Sequence, residues 1–171
     1  MIISCEVISG RGKAKVSLGE IQNLENEKLN IYPGSLNLVA KLPLRLDDSR
    51  ASFVNKDGKR KFWKTKLNDV DVYIYRWPSC PLHIFELVSI EKLRDKMNLN
   101  DGSSVRLEVP KEYIKKLHWL ESLSWFLLYF KRESWYYKKE NYLFFLSLPL
   151  ISKIKNLTIQ IKAINRLPFI N

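Results

Sequence analysis

The chain has 171 residues, 46% of them hydrophobic, and a formal net charge of +11. That length suits one domain with an appendage, and the apolar fraction supplies a packed core, which excludes a disordered chain. The charge is uneven: residues 111–171 carry 11 Lys/Arg against 4 Asp/Glu, together with 13 of the 21 aromatic residues, so +7 lies there and +4 on residues 1–110.

The first half reads as strands. Ile2 to Ile8 is a β-rich run closed by Ser9-Gly10, and Lys13 to Leu18 alternates basic and apolar residues as a half-buried strand does. Leu36 to Leu42 alternates again, with Leu36, Leu38, Ala40 and Leu42 on one face. Asp57-Gly58 tolerates positive φ and predicts a tight hairpin. Phe62 to Leu67 and Val70 to Tyr75 form a strand pair around Asn68-Asp69, and Ile84 to Val88 is a further short strand. Ser89 is read as the cap of a helix from Ile90 to Met97, ended by Asn98 to Gly102 with Gly102 left-handed; Ser104 to Val109 is the last strand. Many short strands with one short helix predict a mainly β fold, a small closed barrel rather than a parallel sheet.

Beyond residue 110 the pattern changes. Pro110 suits a first helical position, and Tyr113, Leu117, Leu120, Leu123, Leu127 and Phe130 recur at helical spacing. Trp135-Tyr136-Tyr137 and Lys138-Lys139 follow as an aromatic, basic cluster, and Leu157 to Ile164 alternates as a strand would. Two domains result: a barrel over 1–110 and a basic, aromatic-rich extension over 111–171. The apolar run from Tyr142 to Ile151 is broken by Ser147 and Pro149 and is half of the roughly 20 residues a membrane-spanning helix needs.

Cys5 and Cys80 offer neither metal spacing nor a disulfide framework and suit a reducing compartment. The N-terminus has no basic region leading into an apolar stretch, so the expectation is a cytoplasmic protein without a secretory signal. His83 and His118, the two histidines, have no Cys/His cluster around them, which argues against zinc.

Three segments carry chemistry. Ser9-Gly10-Arg11-Gly12-Lys13-Ala14-Lys15 combines glycines, which let a backbone approach phosphate, with three cations; it also reads as an ordinary β-turn, and it matches neither a Walker A loop nor a dinucleotide fingerprint. Tyr32-Pro33-Gly34-Ser35-Leu36-Asn37 turns into a strand that places Ser35 and Asn37 on one side, where a hydroxyl and an amide oxygen can hold a hard cation or satisfy local backbone. Glu86 sits in an apolar strand, either partly desolvated and basic enough for proton transfer or turned to solvent. Lys92 and Arg94 stand near a helix start as nucleotide contacts or as solvated charges.

In this order the segments resemble the CTP-dependent riboflavin kinases of archaea. The resemblance rests on Glu6-Val7-Ile8-Ser9-Gly10-Arg11-Gly12, Tyr32 to Leu38, Gly58 to Trp63, Phe85 to Ser89 running into Lys92-Leu93-Arg94, and Asn98 to Gly102. It covers residues 1–110 and none of the extension. It implies a cradle-loop β-barrel that passes the γ-phosphoryl of CTP to the ribityl 5′-hydroxyl of riboflavin, giving FMN and CDP. By the resemblance, Gly10, Arg11, Gly12, Lys13, Ala14 and Lys15 wrap the nucleotide phosphates, and Glu91, Lys92, Leu93 and Arg94 help hold the nucleotide. Ser35, in place of the usual Thr, and Asn37 ligate Mg²⁺, and Glu86 positions the attacking hydroxyl or takes its proton.

Two departures stand out. Lys13 and Ala14 replace a further glycine of the loop, and Arg76 to His83 is shorter than the family's segment and lacks its Thr/Ser-His pattern. The altered segment from Arg76 to His83 motivates an alternative: a non-catalytic barrel that binds a nucleotide or a protein. A third reading assigns the function to the extension, whose interleaved cations and aromatics suit nucleic acid or a membrane surface.

Overall fold

A computed structural model of the chain describes residues 1–10, 31–55, 57–78 and 80–137. The chain divides into two units, Met1–Ser134 and Trp135–Asn171. The expected strands at Lys13 to Leu18 and Leu157 to Ile164, and loop residues Arg11, Gly12, Lys13, Ala14 and Lys15, lie outside the described residues.

The first unit is mainly β. Among the described residues its strands are β1 (Ile2–Ile8), β2 (Leu36–Ala40), β3 (Arg45–Leu46), β4 (Phe53–Val54), β5 (Lys61–Leu67), β6 (Val70–Arg76), β7 (Ile84–Val88), β8 (Ser104–Glu108) and β9 (Ile114–Lys115). Among the same residues two α-helices accompany them, α1 (Leu93–Lys96) and α2 (Trp119–Tyr129). Among the described residues, six antiparallel strands close into a ring in the order β5, β6, β7, β2, β1, β8, the last pairing back onto β5 through Lys66↔Glu108 and Leu67↔Leu107. β4 extends one side of β5, and β3 with β9 forms a separate two-stranded ribbon. The expected small closed barrel is the observed one.

Period-two alternation fills the interior. Cys5 and Val7, Leu36, Leu38 and Ala40, Trp63 and Leu67, Val72 and Ile74, Phe85 and Leu87, and Val105 and Leu107 all point inward and are buried. Each large member contributes about 1.5–3 kcal/mol by leaving water. A smaller apolar cluster of Ile31, Phe62, Tyr75 and Val88 covers the outer face of β5, β6 and β7. Asn68 and Asp69 both have positive φ (44° and 69°), the geometry of a two-residue hairpin turn, and Gly58 (φ 71°) turns β4 into β5.

Several expectations need correction. β2 ends at Ala40, and Leu42 is largely exposed rather than facing the core. Ser89 does not cap a helix from Ile90; its hydroxyl accepts from the Glu91 N–H at 3.0 Å in a local turn, and α1 starts only at Leu93. Gly102 takes the expected left-handed conformation (φ 86°) where the chain turns into β8, and Asn98 (φ 50°), just after α1, is left-handed as well. Pro110 begins a short 3-10 turn, Lys111–Tyr113, and β9 intervenes before α2. The pairing of β9 with β3 outweighs the helical spacing there.

α2 begins with a capping box. The His118 ring accepts from the Leu120 N–H at 3.3 Å, and the Glu121 carboxylate accepts from the His118 N–H at 2.8 Å. Glu121 also takes Arg45 of β3 in a two-pronged ion pair at 2.9 and 3.0 Å, which fixes the helix to the ribbon. In the second unit, the Tyr136 and Tyr137 rings meet edge to face at 5.2 Å.

Candidate functional site

The candidate site lies on the outer face of the barrel, where the cross-strand register lines up residues from neighbouring strands. Ile8 of β1 faces Asn37 of β2, Asn37 faces Glu86 of β7, Glu86 faces Tyr75 of β6, and Tyr75 faces Phe62 of β5. Leu36 and Leu38 point inward, so Asn37 between them must point outward, and Phe85 and Leu87 impose the same on Glu86. One transverse row thus carries an amide, a carboxylate and a phenol.

Ser35 joins the row from the end of β2, its hydroxyl donating to Glu86 Oε2 at 3.3 Å. Gly10, just after β1, closes over Asn37. A Cβ built on Gly10 would lie 2.1 Å from Asn37 Nδ2 and 2.9 Å from its Cγ, so the approach requires glycine. The turn leading to Ser35 is fixed by its own backbone: the Tyr32 N–H donates to the Ser89 carbonyl and the Gly34 N–H to the Tyr32 carbonyl, both at 2.8 Å. Asn37 is almost fully buried and Glu86 half-buried.

The four residues after β7 divide into different tasks. Glu91 pairs with Lys96 at 2.8 Å and Lys92 with Asp95 at 2.9 Å, within their own segment. Leu93 packs into the core. Arg94 donates to the Ile8 carbonyl at 2.8 Å and to Asp101 Oδ1 at 2.7 Å. Asp101 in turn accepts from the Ser9 hydroxyl. The Ser9 hydroxyl, seconded by the Arg94 guanidinium, holds the Asp101 carboxyl below the usual carboxylate range. Ile8, Ser9 and Gly10 are therefore clamped at the end of β1.

Sequence reasoning singled out Gly10, Ser35, Asn37 and Glu86, and the fold brings these four together; Arg94 stands one step back, on the strand end that carries Gly10. Ser9, Asp101 and Tyr75 escaped it as site residues. Ser9 and Asp101 are 92 positions apart and show no joint signal. Tyr75 becomes a neighbour of Glu86 only through the β6–β7 register. Burial pushes its phenol up, so it stays protonated and able to donate.

Arg76 to His83, the segment that departs from the resemblance, is organised for packing. The Arg76 guanidinium donates to the Leu82 carbonyl at 3.0 Å and lies 5.0 Å from the Phe85 ring centre. It also reaches the carbonyls of Leu44 and Pro81, at 3.4 Å each. His83 is fully buried, its Nε2 3.0 Å from the Glu133 carbonyl and its ring 4.4 Å from that of Tyr129. Burial pushes its pKa down to about 4. The Cys5 and Cys80 thiols are both pushed up to about 12 by burial, which leaves them unreactive.

No protein-family model matches the chain. Curated relatives do. The riboflavin kinase of Archaeoglobus fulgidus is 36% identical over 125 residues, covering 63% of this chain and 54% of the relative. The riboflavin kinase of Methanobrevibacter smithii is 32% identical over 123 residues, covering 63% of this chain and 99% of the relative. That of Pyrococcus abyssi is 29% identical over 120 residues, covering 61% and 56%. The chain thus spans about half the length of the first and third relatives and nearly all of the second.

Proposed function

We propose, because the chain belongs to the archaeal riboflavin kinase family, that it transfers a phosphoryl group to the ribityl 5′-hydroxyl of riboflavin, giving FMN. In the finer form of the reading CTP is the donor and CDP the second product, with Mg²⁺ as the ion. The observation that carries it is the transverse row: Gly10 against Asn37, Asn37 opposite Glu86, and the Ser35 hydroxyl on the Glu86 carboxylate.

These residues fit the ion. The Ser35 hydroxyl and the Asn37 amide are neutral oxygen donors beside one carboxylate, and Mg²⁺ prefers few protein oxygens completed by water and phosphate. Ser35 and Asn37 would hold it, and when bound it would neutralise charge on the phosphates during transfer. Glu86, which accepts a hydroxyl bond from Ser35, would accept one from the attacking 5′-hydroxyl and receive its proton.

Gly10 to Lys15 would wrap the phosphates, with Arg11, Lys13 and Lys15 supplying charge. Glu91 to Arg94 would support the nucleotide; Arg94 does so as a positioning residue, through the Ile8 carbonyl and Asp101. Phosphoryl transfer is mostly positioning and charge neutralisation, which suits a site made of clamped loop ends. A kinase drawing on CTP works in the cytoplasm, in keeping with two free thiols, Cys5 buried and Cys80 half-buried.

The test mixes the purified full chain with riboflavin, CTP and Mg²⁺ and separates flavins by chromatography. FMN is expected with CTP, and chelation of the ion should stop it. Ser35→Ala/Asn37→Ala should abolish ion-dependent turnover while leaving the melting temperature near that of the parent. Calorimetric CTP binding without any FMN would select the second reading, a nucleotide-binding module without turnover. The departure at Arg76 to His83 favours that reading, because Arg76 and His83 are engaged in packing.

A further inference from the structure

α2 presents a face that the barrel does not cover. Trp119, Leu123, Phe126, Leu127 and Phe130 are 62%, 44%, 54%, 70% and 44% exposed. At 100° per residue these five fall within one stripe about a quarter-turn wide, while Trp125, buried, lies on the opposite side. The sole charged residue of the helix, Glu121, is turned to Arg45 of the barrel. An ordinary surface helix carries charges on its outward face; this one carries tryptophan, leucine and phenylalanine there.

Cations flank the stripe in sequence on both sides. Lys111, Lys115 and Lys116 precede the helix and Lys131 and Arg132 follow it, all of them exposed. Lys115 lies 3.8 Å from Asp47, and the Lys131 ammonium 5.7 Å from the Phe130 ring centre, beside the apolar face itself. The eleven residues of α2 make the stripe about 16 Å long. Large apolar side chains between lysines, on a helix too short to cross a bilayer, are the composition of a helix lying in the headgroup region of an anionic membrane. Among the described residues no helix is long and apolar enough to span one.

We propose that the outward face of α2 is a membrane-surface docking site, with the stripe from Trp119 to Phe130 entering the acyl boundary and the flanking lysines meeting anionic headgroups. It is independent of the catalytic reading, since none of these residues belongs to the row around Glu86. Positive charge at both ends argues for the lipid surface over a second copy of the chain, whose identical face would bring like charges together.

The test is co-sedimentation of the full chain with vesicles of equal parts phosphatidylglycerol and phosphatidylcholine, against vesicles of phosphatidylcholine alone. Binding is expected to the anionic vesicles, weakening with added salt. Phe126→Ser/Leu127→Ser should weaken it about tenfold or more, and Lys116→Gln/Lys131→Gln should weaken it and flatten the salt dependence. These positions are exposed, and an unchanged melting temperature verifies the fold; Trp119→Ser is a second apolar variant should the double change disturb it. Absence of binding to anionic vesicles overturns the proposal. So does binding undiminished by the apolar variants, which would place it in basic residues elsewhere. So does a concentration-dependent dimer, or retention of RNA, that the apolar variants abolish in a chain that ignores vesicles.

Discussion

Gly10→Ala tests the proposed reaction with a single methyl group. The new Cβ would sit 2.1 Å from Asn37 Nδ2, and relief to ordinary contact at 3.4 Å requires about 1.3 Å of movement. The backbone on the Gly10 side is held by the Arg94 bond to the Ile8 carbonyl, so the Asn37 amide has to yield. Asn37 is 6% exposed, and its amide has little room to swing. Overpacking of this kind costs about 1–3 kcal/mol of stability, within what a small barrel tolerates.

For a group that orients an ion and its phosphates, a misplacement of about 1 Å lowers the rate on the order of a hundredfold, or about 2.7 kcal/mol of transition-state stabilisation. Steady-state FMN formation gives kcat/KM, and a thermal melt confirms the fold. The effects of Gly10 and Asn37 must also be coupled. In an Asn37→Ala background the methyl group has nothing to displace, so Gly10→Ala should there cost little further activity. Wild-type turnover by folded Gly10→Ala, or losses that simply add in the double variant, would refute the argument that Gly10 acts through Asn37.

The clamp and the buried histidine carry three further predictions. Asp101 has its carboxyl lowered in the folded state, so its contribution to stability is complete above its unfolded value near 3.8 and is lost as pH falls through the folded one. Asp101→Asn should flatten the acid end of the melting profile, and Arg94→Lys, which keeps charge but loses the fork, should raise the KM for the nucleotide more than it lowers kcat; an unchanged KM would count against the clamp. His83 is buried neutral with its pKa lowered from 6.5 to about 4, so stability is full above pH 6.5 and declines as pH falls from there towards 4, by at most about 3 kcal/mol. His83→Phe should remove that slope, as read by melting temperature between pH 7 and pH 4.

The barrel was legible because its strands obey period two without interruption. Leu36, Leu38 and Ala40, or Phe85 and Leu87 around Glu86, declare which side faces inward by their spacing alone. Turn chemistry was legible at Asp57-Gly58 and Asn68-Asp69, where positive φ is a local property of the residues. What failed was decided by distant partners. The two-residue strands β3 and β9 have no periodicity to read, and pairing across 70 positions, Arg45 with Lys115, creates them. Ser89 had a capping residue's identity, but its hydroxyl closes a turn on Glu91 instead. In the site, Ser35, Asn37 and Glu86 could be found by residue type and strand parity. The clamp of Ser9, Arg94 and Asp101 could not, since its geometry exists only once β1, α1 and the turn before β8 are assembled.

The barrel finishes where it starts. The Met1 amino group donates to the Val109 carbonyl at 2.7 Å, and Val109 returns the bond to the Met1 carbonyl at 2.8 Å. A ring whose two ends touch is a cassette: another polypeptide can carry it at either side, or receive it in the middle of a loop, without any strand having to move. The relatives fit that picture, one of them matched over nearly its whole length and two over about half of theirs. In this chain the same doorway leads from Val109 straight into the segment that carries α2, so a unit can be attached behind the barrel while the row around Glu86 is left untouched.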